Sequence, residues 1–193
     1  VQGWGRILEV GNRFLYLLFH ESIQELELGL QDRHFIALKV EEDFGIPVRV
    51  QELPLDLKPH FDPKRGQFHS TSILKELLKR FPSDGLKALL VVGVDLFIPI
   101  LTFVFGEAQL GGKVGIVSTA RLRQQFYQLP EDKGLLIRRL LKEVKHELGH
   151  TFGLLHCEDH RCVMSVAHNV LGVDSKGLDF CKACREALLS NKK

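Results

Sequence analysis

The sequence predicts an α/β (α+β) fold in which a twisted sheet packs against helices. Short apolar runs alternate with amphipathic stretches through the first two-thirds of the chain, which mixes strands with helices. All four cysteines fall between Cys157 and Cys184, as C-x4-C and then C-x2-C, and this grouping resembles a metal site more than a dispersed disulfide scaffold. At 193 residues the chain fits one domain, or one domain built from two lobes facing a cleft. A chain of this length buries roughly two-thirds of its unfolded surface and needs no disulfides to fold.

The elements follow in order. Residues 4–10 are expected to form a strand, and residues 14–26 a helix on an ambiguous pattern. Residues 34–44 read as a helix stopped by Gly45, and 47–53 alternate like a strand. Three prolines and a glycine make 53–66 a loop. The hydroxyls of Ser70, Thr71 and Ser72 are expected to cap a helix carrying Ile73, Leu74, Leu77, Leu78 and Phe81, with Pro82 as the stop. Residues 88–105 are long and apolar enough to resemble a membrane span, but Asp95 and Pro99 sit near the middle. Two buried strands, at 86–94 and 98–105, are the better reading. Gly111 and Gly112 predict a hairpin turn into a strand at 113–119, followed by a short helix at 122–127. A longer amphipathic helix is expected from Pro130 to about Phe152, ended by Gly153.

Apolar residues make up 45% and charged residues 26%, an ordinary globular composition. A net charge of +2 gives no reason to expect a nucleic-acid or anionic-membrane partner. No secretory n-region and h-region open the chain, so the expected location is cytoplasmic. A monomer is expected.

The long helix carries the chemistry. His146-Glu147-Leu148-Gly149-His150 is the H-E-x-x-H arrangement. On a helix His146 and His150 lie within roughly 40° of each other, one turn apart, so both imidazoles can reach one ion. Glu147 sits about 100° round from His146, where it reaches water at the ion without being a ligand. Val144, Leu148, Phe152 and Leu155 fall on the opposite side, as a stripe for the core. His156 lies ten residues beyond His146, about 15 Å away on an unbroken helix. Gly153 permits a left-handed break that returns His156 to the same ion.

HELGHTFGLLH, followed by Cys157, Cys162, Met164, Cys181 and Cys184, resembles the archaemetzincin branch of the metzincin zinc peptidases. The match is close from Val144 to Met164. It runs more weakly through QFHS (67–70), VVGVDLF (91–97), FVFGEA (103–108) and STARL (118–122), about two-thirds of the chain. The resemblance implies a metzincin-like fold: a twisted mixed sheet with backing helices, an active-site helix and a small C-terminal lobe stabilised by a four-cysteine zinc site. The N-terminal lobe would span about 1–153 and the C-terminal lobe about 154–193, within one catalytic domain of residues 1–193. It also implies that Met164, the single methionine, packs beneath the zinc-binding histidines, and that the strand at 113–118 is the cleft edge that pairs with substrate. Some metzincins carry a tyrosine after the Met-turn. Here Ser165, Val166, Ala167, His168 and Asn169 follow, so no side-chain donor for an oxyanion is assigned.

Two zinc ions per chain are therefore expected. His146, His150 and His156 would hold the catalytic ion, with Glu147 as general base. Cys157, Cys162, Cys181 and Cys184 would close a structural site that contributes folding energy to the small lobe. Two disulfides or a redox pair are the alternatives. His160 and His168 are read as surface histidines, and His20, His34 and His60 as ordinary ones. His69 lies in QFHS without derivable chemistry, and the family often has Tyr where Phe68 stands. The expected activity is peptide-bond hydrolysis on peptide or protein substrates, with an aminopeptidase preference implied by the resemblance. A zinc-stabilised peptide-binding module with little or no turnover is the alternative. A nucleic-acid-binding zinc domain is disfavoured, since no basic, aromatic-rich stretch adjoins the cysteines.

Overall fold

A computed structural model of the chain describes residues 13–23 and 27–192. The strand expected at residues 4–10 lies outside them. In chain order the elements are β1 (Phe14–Phe19), α1 (Leu30–Phe44), β2 (Val48–Glu52), β3 (Phe61–Asp62), β4 (Gln67–His69), α2 (Ser70–Lys79), β5 (Gly85–Val92), β6 (Leu96–Phe97), β7 (Gly106–Ala108), β8 (Val114–Ser118), α3 (Lys133–Thr151), α4 (Val170–Ser175) and α5 (Lys182–Asn191). Single 3-10 turns occupy Lys58–His60 and Gln124–Tyr127. The main sheet runs β2-β1-β5-β8-β7, parallel except for β7, and a small second sheet runs β3-β4-β6.

Helices cover both faces of the main sheet. Leu15, Leu17, Phe19, Leu89, Val91 and Val117 pack in one core with α1, α3 and the C-terminal segment. Tyr16, Leu18, Ala88, Leu90, Val92, Val114 and Ile116 pack in a second core with α2. This two-sided burial explains the first correction. Residues 14–19 form β1 instead of the start of a helix over 14–26, because a strand buried on both faces is apolar at every position and shows no alternation.

The second correction concerns residues 98–105, which do not form a strand. Pro99 occupies the second position of a turn closed by Leu101 N donating to Ile98 O at 3.1 Å. Only Val104 then bridges back, to Leu96. The side chains of Arg65 and Gln67 donate to the carbonyls of Leu101 and Thr102 and hold this segment over the cleft. Asp95 is chelated by Arg121 at 2.7 and 2.8 Å, which anchors the same segment at its base.

The third correction is at α2, which is preceded by His69 with no side-chain cap. Ser70 and Thr71 donate instead to the Glu107 carboxylate on β7. The fourth is the sheet edge. β8 is paired on both sides, so the exposed edge beside α3 is β7 rather than the strand at 113–118.

The remaining elements follow the sequence closely. α1 ends at Gly45, whose φ of 59° suits glycine. Gly111, at φ 65°, turns the chain between β7 and β8. Asp132 caps α3 by accepting from Leu135 N at 2.8 Å. Among the described residues no helix is long and apolar enough to cross a membrane.

Phe44 ties the layers together. It is fully buried and meets Phe152 and Phe180 at ring-centroid distances of 5.5 and 5.6 Å, linking α1 to the end of α3 and to the C-terminal segment. Phe44→Ala is expected to destabilise the fold by about 3–5 kcal/mol, read as a lower denaturant midpoint with little change in slope.

Candidate active site

α3 is buried from Arg139 through Gly149, so it runs through the protein rather than over its surface. Its last turn closes in a Schellman motif. Gly153 N donates to His150 O at 2.9 Å, Leu154 N donates to Gly149 O at 3.0 Å, and Gly153 sits at φ 83°. The helix therefore ends where expected and the chain doubles back. Leu155 falls beyond the break and is largely exposed, so only Val144, Leu148 and Phe152 of the expected apolar stripe are buried.

The reversal brings His156 to His146 and His150. The three rings lie 4.6, 4.9 and 5.3 Å apart by centroid, with one nitrogen of each within 4.8 Å of the others. Nε2 of His146 and Nε2 of His150 are 3.1 Å apart. The opposite nitrogens are occupied: His146 Nδ1 contacts Val163 O at 2.9 Å and His150 Nδ1 contacts Leu154 O at 2.7 Å. A carbonyl only accepts, so each Nδ1 carries the hydrogen and each Nε2 presents a lone pair. Burial is the main cause holding all three imidazoles below the usual histidine range, with Lys176 adding to it, and neutral rings are what a divalent ion requires. This donor set fits zinc.

Glu147 is buried beside the histidines. Desolvation, and then the Glu143 carboxylate, push it well above its ordinary value, while Lys176 opposes the shift. Gly106 on the edge strand makes room for it, since a β-carbon there would stand 2.7 Å from Glu147 Cγ. Met164 is fully buried against α3, and a β-carbon on Gly149 would stand 2.5 Å from its sulfur. Close packing of Met164 against the turn that carries His146 and His150 requires that glycine.

Cys157, Cys162, Cys181 and Cys184 also converge, with their sulfurs within 4.8 Å of one another. Cys157 Sγ and Cys181 Sγ are 3.7 Å apart, close to the edge of about 3.8 Å that tetrahedral zinc thiolates produce and far from a disulfide bond. Backbone N–H groups of Met164 and Cys181 donate to Cys162 Sγ, as expected around a charged sulfur. Burial raises the Cys162 thiol, and burial plus the neighbouring thiols raise Cys184 strongly. Cys181 is lowered, chiefly by the backbone N–H of Cys184.

Other histidines stay out of the site. His20 is hydrogen-bonded to Ser22 and Leu55 O, His34 to Leu30 O, and His60 to Ser72. His160 is exposed. His69 packs on Phe97. His168, however, lines the cavity beside His156. Sequence reasoning missed Glu143, Lys176, Gly106 and Glu107. Glu143 was findable, because it lies three residues before His146 and so on the same helical face. Lys176 carries no local signal.

Two cavities, of about 380 and 370 Å³, meet at His146, Glu147 and His156. A histidine triad beside a buried glutamate, at the edge of a helix-covered sheet, defines the zinc metallopeptidase class of hydrolases. The profile of Peptidase family M54 matches residues 71–190. An archaemetzincin of Methanocaldococcus jannaschii is 43% identical over 154 residues, covering 80% of this chain and 83% of the relative. The crystal structure of archaemetzincin from Methanopyrus kandleri superposes with a TM-score of 0.82 at 32% identity, over 96% of this chain and 98% of that one. A zinc-dependent peptidase from Methanocorpusculum labreanum gives a TM-score of 0.78 at 31% identity, over 90% and 99%. The chain belongs to peptidase family M54, with the archaemetzincins.

Gly149→Ala is expected to lower stability by about 1–3 kcal/mol by driving a methyl group into Met164. Adding Met164→Ala should recover part of that loss in a double-mutant cycle, whereas additive losses would place the strain elsewhere.

Proposed function

We propose that His146, His150 and His156 hold a catalytic zinc ion, with Glu147 as the general base of peptide-bond hydrolysis. Cys157, Cys162, Cys181 and Cys184 hold a second, structural zinc. The observation that carries this reading is the buried Glu147 beside three converging neutral imidazoles. A zinc ion at the histidines lowers the pKa of water from about 15.7 towards 7 and polarises a carbonyl oxygen.

The chain's own residues do the rest. Val163 O and Leu154 O fix the tautomers of His146 and His150, so that the donor nitrogens face one point. Glu147, whose affinity for protons is raised by burial, accepts a proton from the attacking water and returns it to the leaving amine. The free edge of β7 supplies backbone groups for an extended peptide. Glu107 supports an aminopeptidase preference. Its carboxylate lines the second cavity, is steadied by Ser70 and Thr71, and has no ion-pair partner among the described residues. A substrate's free α-ammonium complements it. The same reading treats residues 1–193 as one catalytic domain with lobes meeting at Gly153, and places it in the cytoplasm, where closely paired thiols stay reduced.

Glu147→Gln is expected to abolish hydrolysis while two zinc ions per chain remain by elemental analysis; full activity in the variant, or at most one ion in fully loaded protein, contradicts the proposal. The metal-free proteins add a pH test. A carboxyl raised above its ordinary value of 4.5 destabilises the fold as pH rises past that value, and glutamine does not titrate. The variant should therefore melt higher than the parent near neutrality, with the gap closing towards pH 4.5. Amino-terminal acetylation of peptides should slow cleavage by about tenfold or more if Glu107 binds the ammonium, and Glu107→Gln should remove the discrimination.

A further inference from the structure

We propose that the buried Glu143–Lys176 pair, lining the cavity between Phe103 and Val166, selects a substrate residue whose side chain is uncharged and donates a hydrogen bond, above all a primary amide. The proposal rests on the peptidase reading and deepens it to a substrate class. The residue concerned follows the scissile bond, because Glu107 and the proposed amino-terminal subsite lie in the other cavity.

Position and shape come first. Glu143 lies three residues before His146 and four before Glu147, so it occupies the same face of α3 about 5 Å further back along the axis. A glutamine-length side chain spans that depth. Leu101, Phe103 and Phe105 form one wall, and Val166 and Ala167 form the other, which suits an aliphatic stem.

The pair supplies the polar end. Lys176 Nζ stands 2.8 Å from Glu143 Oε1, and their side chains are 1% and 5% exposed. Lys176 also contacts Ser165 O at 3.5 Å and His146 Nδ1 at 3.4 Å. That nitrogen already gives its hydrogen to Val163 O, so it accepts nothing from the lysine. Glu143 remains short of partners. Its Oε1 is buried without a directed hydrogen bond, although it touches the ammonium, and neither oxygen accepts one among the described residues. Oε1 is turned inward against the ammonium, so Oε2 is the oxygen left to accept a hydrogen bond from a group in the cavity that Glu143 lines.

Charge then sets the class. The pair is neutral overall. A cationic side chain would have to share Glu143 with Lys176, and an anionic one would have to compete with Glu143 for Lys176 while lying beside Glu147. A neutral donor satisfies the carboxylate without either conflict. Glu143 stands outside the histidine group that could hold a metal, so beyond its electrostatic effect on Glu147 the pair is free to contact a substrate side chain.

The test is a peptide library with every residue type at each position, digested by the zinc-loaded protein and read by mass spectrometry of new termini. Gln should be enriched after the scissile bond by about tenfold over Met and Glu of similar length, and Asn over isosteric Leu and Asp. Lys176→Met should move the preference towards Lys and Arg, and Glu143→Gln towards Asp and Glu. A purely structural pair would instead lower all cleavage evenly. Peptide hydroxamates differing only in that side chain, titrated by calorimetry, test the pocket without turnover. Absence of new termini with amide-selective hydroxamate binding defeats the peptidase reading and keeps the pocket. Cleavage with a flat or aliphatic profile in the parent protein overturns the pocket, whatever happens to the folding of the variants.

Discussion

At the end of α3 a left-handed glycine, Gly153 at φ 83°, lets Leu154 bond back to Gly149 and returns His156 to His146 and His150, which it would otherwise leave behind by about 15 and about 9 Å. The site depends on this reversal at several points. The same turn places Leu154 O against His150 Nδ1, which sets that ring's tautomer. Asn191 of α5 donates to Phe152 O, so the C-terminal helix caps the helix end from outside. Any other residue at 153 would have to adopt a conformation that its β-carbon disfavours, and the strain would fall on the third candidate ligand.

A buried helix rich in charge is an unusual support, and its partners explain how it is tolerated. Arg139 is gripped by Asp174 at 2.6 and 2.7 Å and by Leu122 O. Lys142 donates to the carbonyls of Val173 and Asp174, and Lys145 pairs with Asp43 and donates to Leu178 O. Each charge reaches either α1 or the segment after Met164. Such pairs add little net stability over apolar packing, but losing one partner is costly, so they favour a single arrangement of helix and C-terminal segment. Orientation of His146 and Glu147 is inherited from that arrangement.

How much was legible follows from where each signal lives. The helix that carries His146 and His150, its glycine break and the four grouped cysteines are local in sequence, so spacing alone pointed to the two side-chain clusters that the fold brings together. The hairpin at Gly111 and the helix stop at Gly45 were equally local. β1 was misread because two-sided burial erases the alternation that marks a strand, and its partners at β2 and β5 are distant in sequence. The Pro99 turn had a local cue that the apolar run around it concealed. Edge status could not be read at all, since whether β7 or β8 is outermost depends on chain order across the whole sheet. Lys176 was invisible for the same reason: its meaning comes from an ion pair with Glu143, far back in the sequence, and not from its neighbours.

The two clusters are best understood as one device. His156 and Cys157 are adjacent, so the candidate catalytic ligand and the first thiol share a peptide bond. Cys157 N donates to Met164 O at 3.0 Å, and Met164 in turn lies under Gly149. A lone exposed histidine on a returning loop would be a floppy ligand, because ordering the loop costs about 1–2 kcal/mol per residue in backbone entropy. Four thiols gathered from the segment that begins at Cys157 would meet that cost with metal–sulfur bonding under the proposed structural site, in addition to the apolar packing of Val163, Met164, Val173 and Phe180. On that reading the thiol cluster would serve the active site without chemistry of its own, because the position of His156 is only as definite as the anchor next to it.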